Sequence, residues 1–235
     1  MNFLSLRWMA KRRWLFLLCG IIALLIISPI NEVYDRRDDI ITPLVAVVLL
    51  AVTYGMVEKR TTLLLMVSLI FAWFLVSVLT EGSGLFPGKS VIAPILFMIL
   101  LLTIFILLSR WMIRAVYINR EVLCAAVCGY LILGILWTGL YRAIVIADPR
   151  ALVAADTQQS LPSVSDLLYF SYTTLTTTGF GDILPKNPVV RMLCVMEAIA
   201  GTFYNTIIIA RFVGLYGMKT PAPMTPTSSS QDDNL

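Results

Sequence analysis

Residues 173–182 read Thr173-Thr174-Leu175-Thr176-Thr177-Thr178-Gly179-Phe180-Gly181-Asp182. The run reads as an extended strand punctuated by glycines. The residues just before it, 163–173, are too short and too polar to cross a bilayer, which takes about 20 apolar residues. Their apolar positions Val164, Leu167, Leu168 and Tyr172 fall at i, i+3, i+4 and i+8, which is helical spacing. Pro162 stands ahead of Ser163, and Asp166 follows three residues later. That is the form of a capping box, with Asp in place of the usual Glu. The pattern predicts a re-entrant half-helix followed by a strand, not a surface helix lying on the membrane.

Outward from this segment the chain is strongly apolar. Of its 235 residues, 59% are hydrophobic and 14% charged; a soluble domain is nearer half and about a quarter. Mean hydropathy is +0.87. Six stretches are expected to span: 14–30, 40–57, 61–80, 91–109, 122–141 and 192–210. The last is uncharged apart from Glu197. The first is read as a span and not a signal peptide, because no small-x-small cleavage pattern follows it. The expected fold is therefore an all-α membrane protein of six transmembrane helices plus the re-entrant helix and its loop.

Loop charges orient the spans. Arg7, Lys11, Arg12, Arg13, Lys59, Arg60, Arg110, Arg114, Arg120, Arg211 and Lys219 lie on one side if every span crosses. The other side holds the smaller set Arg36, Arg37, Lys89, Arg142, Arg150, Lys186 and Arg191. The positive-inside rule then puts both termini in the cytoplasm. The expected layout is a basic amino-terminal segment, 1–13; a four-helix region, 14–115; a second unit, 120–217; and a disordered cytoplasmic tail, 218–235, rich in Pro, Ser and Thr.

Several function classes drop out. The chain has no histidine, which removes serine–histidine and cysteine–histidine catalysis and the common zinc motifs. An enzyme is not expected, and no cofactor, nucleic acid or small-molecule substrate is called for. Cys19, Cys124, Cys128 and Cys194 all fall in apolar runs and read as packing residues.

A strand at membrane depth is tolerated only where it is buried in protein or lines a water-filled path. To strip water from a monovalent cation, such a path must offer replacement oxygens, and backbone carbonyls do so without adding fixed charge. Alternating glycines permit the backbone conformations needed to aim carbonyls one way.

From about residue 120 to 217 the chain resembles the potassium-channel pore domain: outer helix, pore helix, filter, inner helix. The resemblance implies a selectivity filter at Thr177, Thr178, Gly179, Phe180 and Gly181 holding permeant K+, with Thr177 also using its hydroxyl. It implies Asp182 at the outer mouth and a hinge at Gly201, with close packing the alternative there. It further implies a homotetramer in a plasma membrane, the inner membrane of a bacterium. Two positions depart from the usual Val-Gly-Tyr-Gly. Phe180 removes a hydroxyl that could brace the filter, and Thr178 puts a hydroxyl behind the filter or beside an ion.

Within the last span Glu197 braces the half-helix, faces the cavity and attracts cations, or is a buried hydrogen-bonding partner of a nearby threonine of the 173–178 run; Asn205 is a candidate cavity residue. Arg211 reads as a snorkelling residue. The fourth span carries no arginine in its interior, so no voltage sensor is recognisable. The alternatives are a non-selective cation channel on the same fold, a potassium-transporter subunit, and a scaffold with a dead pore. The single filter run argues against the transporter.

Overall fold

The computed structural model describes residues 13–33, 45–46, 49–50, 53, 60–82, 92–154 and 162–217. The basic amino-terminal segment before Arg13, most of the second expected span and the tail 218–235 lie outside the described residues. Among the described residues six continuous helices stand out: α1 Arg13–Val33, α2 Arg60–Gly82, α3 Ile92–Ile113, α4 Arg120–Ala147, α5 Val164–Leu175 and α6 Pro188–Gly217. Two three-residue strands, β1 Leu152–Ala154 and β2 Ile183–Pro185, pair antiparallel, with Leu152 opposite Pro185. Nothing in the sequence reading foresaw this strand pair.

Among the described residues, three helices are long and apolar enough to cross a membrane by length and composition: α3, α4, and α6 from Pro188 to Leu215. At 28 residues, α4 extends about 42 Å, more than the roughly 30 Å hydrocarbon core. Two shorter apolar stretches, Leu17–Ile30 in α1 and Leu63–Leu79 in α2, accompany them.

Local sequence starts these helices. Asn119 caps α4 by accepting from the Val122 amide at 2.9 Å, satisfying one of the first turn's orphan donors. Glu121 in that turn suits the positive end of the helix dipole.

The packing divides into two regions. The larger core joins α1, α2, α3 and α4 through Trp14, Leu17, Ile70, Trp73, Leu100 and Ile132. A second cluster at the far end of α4 seats α5 on the strand pair, through Tyr141, Leu152, Leu167, Phe170, Ile183 and Val190. Close approach to α4 depends on notches in its surface. A Cβ at Gly134 would lie 2.5 Å from the Tyr172 ring, and one at Gly129 would lie 2.3 Å from the Tyr204 hydroxyl. Both hydroxyls donate to α4 carbonyls, Tyr172 to Leu131 at 2.7 Å and Tyr204 to Ala126 at 2.8 Å. The half-helix and α6 are thereby pinned to one scaffold helix. By contrast α6 leaves much of its own apolar surface uncovered, including Phe203, Ile207 and Val213.

Candidate functional site

The half-helix α5 starts with the box its sequence called for. Ser163 Oγ accepts from the Asp166 amide at 3.0 Å, and the Ser163 amide donates to Asp166 Oδ2 at 3.0 Å. At its other end the chain turns sharply into the 177–182 run. The Thr177 amide donates to Thr174 O at 2.9 Å and the Thr178 amide to Thr173 O at 2.8 Å. This pair of bonds is a Schellman closure, which needs a left-handed residue between them. That residue is Thr177, with φ +59°. Glycine normally fills such a position, and a β-branched side chain there is strained by about 1–3 kcal/mol. Strain of this kind persists only where the surroundings impose it, and it clusters at functional sites.

Gly179 and Gly181 also have positive φ, +54° and +83°. Positive φ therefore recurs at every second position from Thr177, and the intervening Thr178 and Phe180 are not among the positive-φ residues. The segment is therefore not the β-strand its sequence suggested: it runs as turn and irregular backbone from 176 to 182, and the alternation reverses the handedness of successive residues, which lets a short stretch present its carbonyls along one side. At Gly179 and Gly181 a Cβ would meet nothing within 4 Å. Their glycine identity answers to backbone conformation and not to crowding.

Both departures from the family pattern find partners. Thr178 Oγ1 lies 2.9 Å from Thr176 Oγ1, which itself donates to Tyr172 O at 2.7 Å. The hydroxyl thus faces the half-helix side of the strand. Phe180 stacks on Tyr169 of α5, with centroids 6.1 Å apart and planes 6° from parallel. Tyr169 also hydrogen-bonds to Asp182, and that bond raises its phenol above the ordinary value. Tyr169 therefore contacts the segment in two places, at Phe180 and at Asp182. Beyond Asp182 the chain enters β2, and the Lys186 amide donates to Ala151 O at 2.9 Å, tying the exit to the residue that leads into β1.

Glu197 sits behind α5 and is fully buried. Its Oε1 lies 2.5 Å from Ser171 Oγ of α5, and its Oε2 accepts from the Tyr141 hydroxyl of α4 at 2.6 Å. Ser171 Oγ in turn reaches Gly134 O at 2.8 Å. Of the three readings of Glu197, the structure puts it against the half-helix, where its partner is Ser171 and not a threonine. Gly201 lies one turn further along α6, where a Cβ would stand 2.3 Å from Leu175 O. Asn205 is exposed on the single chain.

Arg211 departs from the sequence reading. Its Nη2 donates to Met112 O at 3.2 Å, to Ile113 O and to Ala115 O at 2.9 Å, so it closes the end of α3 instead of reaching for the membrane surface. Orphan carbonyls at a helix carboxyl end attract a cation.

The sequence reading missed Ser171, Tyr141 and Tyr169. A polar residue two positions before a threonine run is no signal by itself, and a tyrosine near a span end reads as interfacial. Only contact with Glu197 or Asp182 distinguishes them.

Residues 122–216 match the family model described as ion channel. No match is found among curated proteins or among solved structures. The matched segment takes in most of α4, the half-helix, the strand and nearly all of α6. With the apolar helices, the match supports a membrane ion channel, a non-enzymatic kind of protein.

Proposed function

We propose that the chain is one subunit of a passive, potassium-selective channel that works as a homotetramer. The observation that carries this reading is the alternation of positive φ at Thr177, Gly179 and Gly181 on the irregular segment leaving a capped half-helix. A potassium ion entering such a segment sheds water onto carbonyl oxygens of residues 177–181, with the Thr177 hydroxyl adding an oxygen at the inner end. The carboxyl end of α5 stands at the start of the strand and offers partial negative charge to a cation. Asp182 gathers cations at the outer mouth.

One strand cannot enclose an ion. Residues 176–182 are all exposed on the single chain, as are Phe203 and Ile207 of α6, by 62% and 61%. Four copies around a cyclic axis close the strand into a ring and give those surfaces partners. The proposal includes six spans, both termini in the cytoplasm, and the inner membrane of a bacterium as location. It assigns no voltage sensing to α3, whose one arginine, Arg110, lies in its last turn.

The test is recording from the purified protein in planar bilayers with potassium on one side and sodium on the other. A reversal potential displaced toward potassium supports the proposal. Equal permeability favours the non-selective channel, and loss of the current in Gly179→Ala ties conduction to this strand. A native protein that passes no ions would overturn the reading in favour of a scaffold.

A further inference from the structure

Glu197 is enclosed by three helices, and its polar neighbours can be counted. On α5 there is Ser171, on α4 Tyr141, and on α6 itself Cys194, whose Sγ lies 3.5 Å from the Tyr141 hydroxyl. None is a cation. A carboxylate there would be a buried charge without a counter-charge, which is among the costliest arrangements a protein can hold.

The protons can be counted too. Tyr141 has one, and the short contact to Glu197 Oε2 uses it. Ser171 has one, yet its oxygen lies within bonding distance of two acceptors, Gly134 O at 2.8 Å and Glu197 Oε1 at 2.5 Å. If Glu197 were ionised, one of these two short oxygen–oxygen contacts would have no hydrogen in it. A proton on Oε1 fills both. The bonds then run in one direction: Tyr141 donates to Oε2, Oε1 donates to Ser171 Oγ, and Ser171 donates to Gly134 O. Every donor has an acceptor.

We propose that Glu197 is a positioning residue that joins α6 to the half-helix as a neutral hydrogen-bonding acid, and that it contributes no charge to the ion path. Ser171 lies six residues before Thr177, on the helix whose end sets the left-handed turn into the strand. The relay fixes the height of that helix against both α4 and α6, and through it the placement of the Thr177–Gly181 carbonyls. The inference rests on the channel reading for its consequence, but the neutral acid is a separate claim with its own readout.

Two measurements on the full-length protein test it. The first is infrared difference spectroscopy of native protein against E197Q. The native protein should show the carbonyl stretch of a protonated carboxylic acid that E197Q lacks; only a carboxylate signal at that position would overturn the neutral acid. This holds whether or not the protein conducts. The second is bilayer recording, with native protein as the control that decides the channel reading. Glutamine can donate to Ser171 and accept from Tyr141, so E197Q should keep native unitary conductance and permeability ratio. Y141F and S171A each remove one member of the relay while leaving little empty space, and should lower the current by about tenfold or more, with an altered permeability ratio. E197Q with strongly reduced conductance but normal assembly would refute the proposal, as would Y141F and S171A that conduct like the native channel.

Discussion

Replacing Gly201 by alanine should drive α6 and the half-helix apart. An added Cβ would lie 2.3 Å from Leu175 O and 3.0 Å from Leu175 Cδ1, where ordinary contact begins at 3.4 Å. The side-chain atom can turn away, but the carbonyl oxygen cannot. It belongs to the last residue of α5 and accepts from the Tyr130 hydroxyl at 3.3 Å. Relief therefore needs a backbone shift of roughly 1 Å, at an overpacking cost of about 1–3 kcal/mol. In a chain of this size each kcal/mol corresponds to about 2–4 °C in melting temperature. The shift falls two residues before Thr177, so ion flux should fall together with stability. The assay is thermal melting of the detergent-solubilised protein beside flux from vesicles. Gly214→Ala is the control, because a Cβ there meets nothing within 4 Å and should be nearly silent. Adding Leu175→Ala should not restore Gly201→Ala, because the backbone oxygen remains in place. The reasoning is refuted if Gly201→Ala melts like the native protein and changes only the open probability. A hinge glycine would behave in that way.

A second notch gives a compensating pair. Gly129→Ala puts a Cβ 2.3 Å from the Tyr204 hydroxyl and 3.2 Å from its ring carbon; it should destabilise by about 1–3 kcal/mol, and Tyr204→Phe added to it should recover part of that loss in melting. Tyr169→Phe keeps the stack on Phe180 but loses the bond to Asp182, so current should decline faster during sustained opening. Because that bond raises the Tyr169 phenol, its contribution is full below the ordinary tyrosine value near 10 and is lost as pH rises through the raised one. Native channels should therefore lose activity at strongly alkaline pH in a component that Tyr169→Phe lacks, seen in flux against pH. The conductance–voltage curve should stay in place when Arg110 and Arg114 are both changed to glutamine; a large shift in patch recordings would give α3 a sensing role after all.

The sequence by itself pointed to a membrane channel and to one segment as its candidate site. Hydropathy marks the long helices because hydrocarbon tolerates only satisfied backbone. The Ser163 and Asp166 pair fixes where the half-helix begins because capping is local chemistry. Gly179 and Gly181 announce unusual backbone, though not the strand the run suggested, and composition alone disposes of histidine-dependent chemistry. Tertiary structure decided what depends on residues far apart in the chain. Thr177 takes a left-handed conformation that its own side chain disfavours, because closing the end of α5 demands it. Thr178 turns its hydroxyl to Thr176, and Phe180 finds Tyr169. Arg211 folds onto the end of α3. Glu197 was legible as an odd acid in an apolar helix, but its direction was not. A carboxyl group on a helix can face any neighbour, and only the packing of α4, α5 and α6 brings Tyr141 and Ser171 to its two oxygens.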